Sequence, residues 1–448
     1  MTTATPQVNY YTERFSEFEK GAVGDWHEWL RPVRRAAIAR FAEVGFPTTR
    51  DEDWRFTNLA PIVQTPFTLA RDSRMDLSPE AIEPYLVSEH DKIRLIFVNG
   101  RYAPALSSSG PPERGVSAYN LAQAFRDNRD LLEQHLARYA GDRQDVFAAL
   151  NLAFLEDGAF VYVRRGRVIE EPIHLMYVST PTDEPIMTHP RNLIILEEDS
   201  QAAVVEHYVS LGADVYLSNV VTEAVAGDNS VLDHYLIERE SKESFNISTL
   251  RVQQGRSSNV ASHTVLIGGA LVRNNVHPVL AGEGGECLIN GLFMAKGRQH
   301  MDNFMLVEHA SPHCDSRQFY HGVLDEQAHG VFSGRIIVHK DAQKTDAKQT
   351  NRNLLLSQEA QIDSKPQLEI YADDVKCTHG ATIGQVDENA IFYLRSRGIP
   401  EGAARALLLF GFANESLERM KVASMRTHLE PLVAEWLPGG KNILEEGR

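Results

Sequence analysis

Four short turns decide the fold: Glu198-Asp-Ser-Gln-Ala202, Gly227-Asp-Asn-Ser230, Gly255-Arg-Ser-Ser-Asn259 and Gly282-Glu-Gly-Gly285. Each is small and polar, and each separates segments rich in Val, Ile and Thr. Asp199 and Asp228 are 29 residues apart, and Asp228 and Arg256 are 28 apart. A polar residue follows every turn in step, at His207, His234, His263 and Asn290, with separations of 27, 29 and 27. A repeat of that length signals a solenoid or a propeller. No helix fits inside the repeat and no propeller-blade signature is present, so stacked coils of strand, a β-helix, fit best. Later turns at Asp325-Glu-Gln-Ala328 and Ser357-Gln-Glu-Ala360 extend the texture.

Outward from this core the texture changes. Three domains are expected: a mostly helical 1–155, a β-helix 156–386 and a helical 387–448. In the first, Pro32 opens a helix carried by Val33, Ala37 and Phe41 and stopped at Gly45 and Pro47. A second helical run covers about Asn120–Tyr139, and Ile93–Val98 before Asn99-Gly100 reads as strand and turn. In the last, Pro400 opens one helix and a longer one is expected over Glu415–Leu437. A solenoid's terminal coil is an unpaired edge, so the helical zones are expected to cover the two ends.

The chain has 448 residues and a net charge of −16. That balance argues against nucleic-acid and anionic-membrane partners, both of which select basic surface. Three cysteines without a CxxC pair are no disulfide framework. Met1–Phe15 lacks the basic and apolar regions of a secretion signal. The apolar stretch Ala406–Phe410 is far short of the roughly 20 residues a membrane helix needs. A cytoplasmic location is expected.

Short catalytic motifs are missing: no P-loop, no GxGxxG after a strand, no HExxH. Gly330-Val-Phe-Ser-Gly334 has its serine one place late for a nucleophile elbow. These absences lean toward a non-enzyme. Four groups retain chemical interest. His300, His309, His313, Cys314 and His321 could bind a metal, but with no fixed short spacing they read better as polar members of β-rungs. In Cys377-Thr-His-Gly380, strand alternation puts Cys377 and His379 on one face and Thr378 on the other, which is half a metal site; Asp373-Asp374 could orient the imidazole. A buried structural cysteine beside a capping histidine is an equal reading. The polar run Gln343–Asn353 lines a tunnel or an interface, or is a solvated turn joining two rungs. Asp51-Glu-Asp-Trp-Arg-Phe-Thr57 places Trp54 and Phe56 among charges, as core anchors or as a partner contact.

Taken together, Glu52-Asp-Trp-Arg-Phe-Thr57, Asp341-Ala-Gln-Lys-Thr345 through Asn353-Leu-Leu-Leu-Ser357, Cys377-Thr-His-Gly-Ala-Thr-Ile-Gly384 and Phe392-Tyr-Leu-Arg-Ser-Arg-Gly-Ile399 resemble the SufB/SufD family of iron–sulfur cluster assembly scaffolds. The SufB branch would carry a core cysteine near Asn351–Asn353, and this chain has none there, so the resemblance is to the SufD branch. It implies a right-handed parallel β-helix flanked by helices, pairing with a SufB-like paralogue through the β-helix, and docking of a SufC-like ATPase around Ile399–Phe412, with Ile399, Pro400, Ala404, Leu407 and Phe410 in contact. It implies a transient cluster shared with the partner, none held tightly by the chain alone, with His379 as ligand, Cys377 second, and Asn351, Asn353 and Thr378 at the interface. A homodimer is expected when the paralogue is absent. The readings set against this are a polysaccharide-acting β-helix, which needs an exposed carboxylate groove, and a stable metalloprotein using His300–His321.

Overall fold

A computed structural model describes residues 6–22, 24–70, 77–87, 92–109, 115–140 and 145–440. The repeat resolves into a solenoid of about eight turns. Successive strands alternate between two sheets, each pairing in parallel with the strand two places on. One sheet carries Tyr216–Ala226, Phe245–Gln254, Leu271–Leu280, His300–His309, His329–Val338 and Gln361–Ile370. The other carries Gln201–Ser210, Val231–Arg239, Asn259–Leu266, Glu286–Ala295, Asp315–Leu324, Asp346–Leu355 and Lys376–Gly384. Registers run unbroken, so inward columns stack side chain on side chain: Cys287 over Ser316 over Ala347 over Cys377 is one.

The quoted turns work because one residue in each sits in the left-handed region. Asp199, Asn229, Ser257, Gly284, His313 and Lys344 have φ between 52° and 71°. Each donates its amide to a carbonyl in the next coil's turn, from Asp199 N to Asp228 O through to Lys344 N to Asp374 O. Asp, Asn and Gly tolerate this conformation best, which is why the turns read as small and polar. The repeating hydrogen bond fixes coil length and hence register.

Inside, Leu232, Val260, Ile289, Phe293, Met301, Phe332 and Ile336 form one apolar core along the axis. Most strands are buried on both faces, because the helices cover the outside. Phe41, Phe147, Phe154 and Leu150 of the N-terminal layer pack on Leu217, Phe245, Ile247 and Leu271. Leu409, Phe412, Leu417, Met425 and Leu429 of the C-terminal helices pack on Val205, Tyr235, Leu292 and Val323. Each such side chain removed from water contributes roughly 1.5–3 kcal/mol.

Three expectations change. The helical zones do not cover both ends: the C-terminal helices fold back along the flank of the second sheet, and the Gln361–Ile370 and Lys376–Gly384 strands are left at the surface. The Asn120–Tyr139 run is two helices, Leu121–Asp127 and Arg129–His135, broken at Asn128. The C-terminal helices are two, as expected, but the break between them falls later and the second is the shorter: they run Glu401–Leu417 and Ala423–Trp436. Tertiary bonds hold that break open: Val422 N donates to the Tyr235 hydroxyl at 3.3 Å, and Lys421 lies 3.4 Å from Asp233. The sheets also draw on residues before 155, since Ile93–Val98 pairs in parallel with Ile173–Ser179. No helix among the described residues is long and apolar enough to cross a membrane.

Candidate functional site

The histidine-rich stretch is dispersed by the geometry that makes it regular. His300 faces outward under the N-terminal layer, 2.9 Å from the Thr57 hydroxyl, which also donates to Asp302 at 2.6 Å. His309 faces inward with Nε2 2.8 Å from Ser316 Oγ. His313 is a left-handed turn residue. The Cys314 thiol reaches the Gly282 carbonyl at 3.3 Å. His321 meets Ser416 Oγ at 3.0 Å and packs on the Phe412 ring. Burial pushes His300, His309 and His321 down to about 4, so all three are neutral members of rungs and flanks. Among the described residues no group of three or more His, Cys, Asp and Glu has the geometry to hold a metal ion.

The Asp51–Thr57 segment lies across the outside of the first sheet. Trp54 is half-buried, with the Arg273 guanidinium 3.8 Å from its ring centroid. Arg273 in turn pairs with Asp302. Asp53 bonds Arg335, and Glu52 pairs with Lys365 of the last coil. This is the anchoring reading of the motif.

The open end of the solenoid is different. Cys377 and His379 lie in register with Ala347 and Gln349, which are buried inside the preceding coil. Both therefore occupy inward positions, as strand alternation predicts, but among the described residues no further coil lies above them. His379 is exposed; Cys377 is half-buried against the core, and burial pushes its thiol up. Thr378 is exposed on the opposite face. Asp374 is not available to orient the imidazole, because its carboxylate pairs with Lys344. Around the end lie apolar side chains that a free surface would not favour: Tyr371 is 63 % exposed, Ile383 53 % and Ile370 41 %. Beneath it is a layer of carboxamides. Asn353 Nδ2 donates to Asn351 Oδ1 at 2.7 Å, the Ser364 hydroxyl donates to the same oxygen at 2.8 Å, and Gln349 Nε2 donates to Gln318 Oε1 at 2.8 Å. Asn351 and Asn353 thus form the buried floor of the open end and are not on its surface.

A second exposed face sits on the C-terminal helices. Asp387 caps the Glu388–Ser396 helix through Asn389 N at 2.9 Å, and Pro400 starts the Glu401–Leu417 helix. Ala404 is fully buried against the solenoid, whereas Leu407 is exposed and Ile399 and Phe410 are half-buried. The largest exposed apolar groups here are Phe392 at 72 % and Tyr393 at 56 %. They were quoted above only as part of a signature. Their helical position opposite the buried Ile391 was the available signal.

A β-helix that leaves one polar-floored coil open, with an aromatic helical face beside it, defines a protein organised around presenting surfaces. Residues 178–412 match the model described as "SUF system FeS cluster assembly, SufBD core domain", and residues 6–175 match "SufBD protein N-terminal region". The chain belongs to the SufBD family of iron–sulfur cluster assembly proteins and is SufD-like. It is 33% identical over 409 residues to a SufBD family protein of Synechocystis, covering 90% of each chain. It is 31% identical over 428 residues to the iron–sulfur cluster assembly protein SufD of Escherichia coli, covering 94% of this chain and 97% of that one. Identity to SufD of Bacillus subtilis is 26% over 416 residues, covering 90% and 93%.

Proposed function

We propose that this chain is a non-catalytic scaffold subunit of a SUF machine. It pairs with a SufB-like paralogue through the open end, supplies His379 to a cluster assembled between the two, and docks a SufC-like ATPase on the face formed by Phe392, Tyr393 and Leu407. The observation that carries this is the open last coil, where an inward-type histidine is exposed within an apolar rim. An apolar sheet end of this kind is stabilised by being covered.

The chemistry is consistent. Thiolates dominate iron–sulfur ligation, and a histidine can replace one and shift the potential. A site that draws one ligand from each subunit exists only in the complex, so the cluster is cargo passed on and not a resident group. Cys377 is the weaker ligand, since burial disfavours its thiolate. The test is pairing. With Tyr371→Asp plus Ile383→Asp, recovery of the co-expressed paralogue should fall by tenfold or more while the ATPase is still captured. Unchanged recovery of the paralogue contradicts the assignment of this end.

A further inference from the structure

The inward column that ends at His379 runs back through Gln349 to Gln318, one residue per coil. Gln349 and Gln318 are buried, and the nitrogen of Gln349 is committed backwards to Gln318 Oε1 at 2.8 Å. Gly334 on the facing strand leaves the space the carboxamide occupies, since a Cβ there would overlap Gln349 Nε2. With Nε2 turned to the coil behind, Oε1 is the atom left for the coil ahead. It is buried and has no hydrogen-bond partner among the described residues. Such an orphaned acceptor costs about 1–3 kcal/mol. In the coil ahead, about 4.8 Å away by strand spacing, the residue in register is the exposed His379.

We propose that Gln349 is a positioning residue for His379. Rotation of the exposed imidazole brings one ring N–H to Gln349 Oε1, satisfying the orphaned oxygen. That bond fixes the tautomer and leaves the other ring nitrogen, with its lone pair, facing out of the open end toward iron. Metal-bound histidines nearly always donate their second N–H to a fixed oxygen, and losing that partner typically lowers metal affinity 10–100-fold. Gln318 acts one step further back, by holding the amide, and Gly334 leaves room for it. The metal part of this inference rests on the reading of His379 as the cluster-facing group; the hydrogen bond does not.

Two measurements separate the parts. In the full chain carrying ¹⁵N-histidine, NMR of His379 should report a single dominant tautomer. Gln349→Leu and Gln349→Met should return it to a solvent-like mixture. Gln349→Glu should retain the wild-type signature, because the unpartnered Gln318 Nε2 can turn to donate to the carboxylate. In the co-expressed complex, Gln349→Leu should lower retained iron and sulfide by tenfold or more with recovery of the complex intact, and Gln349→Glu should restore most of it. An unchanged tautomer in both Gln349→Leu and Gln349→Met overturns the proposal. If His379→Ala itself leaves iron unchanged, the cluster reading fails while the NMR result still decides the hydrogen bond.

Discussion

Removing the Glu223 carboxylate should loosen the N-terminal layer from the solenoid. Glu223 and Arg191 are both fully buried and pair at 2.9 Å. Glu223 also accepts from the amides of Ala137, Tyr139 and Ala140 at 2.8, 2.7 and 2.8 Å. Arg191 donates to Asn151 Oδ1 and to the Ala140 carbonyl. The node therefore fastens residues 137–140 and Asn151 to the strands behind them. Glu223→Ala leaves a buried guanidinium without its counter-charge and three amides without an acceptor. Breaking one partner of such a pair costs about 3–5 kcal/mol, and part of each orphaned amide's 1–3 kcal/mol adds to it. About 4–6 kcal/mol of local stability should be lost. Glu223→Gln, which keeps one acceptor oxygen, should lose about half. Arg191→Met in the Glu223→Ala background should recover roughly 2 kcal/mol, because an apolar replacement removes the uncompensated charge. Tryptophan fluorescence in urea is the assay, since Trp26, Trp29 and Trp54 all lie in the layer concerned. A loss below about 1 kcal/mol for Glu223→Ala, or no recovery in the double variant, refutes the reasoning.

Other outcomes follow from the same geometry. Burial holds His309, His300 and His321 neutral, each down to about 4 from 6.5; unfolding lets them take up protons, so stability is full above pH 6.5 and falls as pH drops toward 4. His309→Gln should flatten that acid limb in a thermal melt series, and an unchanged limb would count against the burial account. Burial raises both Glu238 and Glu240, which has the opposite sign: Glu240→Gln should gain stability over wild type as pH rises above the ordinary carboxylate range. Ser257→Gly, at a left-handed turn with φ 52°, should raise the melting temperature by the equivalent of about 1 kcal/mol, while the neighbouring Ser258→Gly should not. Phe392→Asp with Tyr393→Asp should abolish ATPase capture on affinity resin with an unchanged circular dichroism spectrum; retained capture would move that docking face elsewhere.

The coils were legible because their turns need left-handed residues at fixed intervals, and Asp199, Asn229, Ser257 and Gly284 announce them. The pairing of Cys377 and His379 on one face was legible from alternation alone. What covers each face was not. Val205, Tyr235 and Leu292 show apolar character on the outer side of their strands, but nothing local says that distant C-terminal helices lie against them, as where Ser416 meets Asn290 at 126 residues' separation or Val422 meets Tyr235 at 187. For the same reason the openness of the last coil, and the burial of Asn351, Asn353 and Ala404, are properties of the assembled chain. The dispersal of His300 through His321 follows from register: residues close in sequence are sent to an outer face, an inner face and a turn.

The most direct test of the account is iron and acid-labile sulfide per complex after anaerobic co-expression with the SufB-like and SufC-like partners, wild type against His379→Ala. The account predicts that the complex is recovered in full and that cluster content falls by tenfold or more. An intact complex with undiminished iron and sulfide would contradict it.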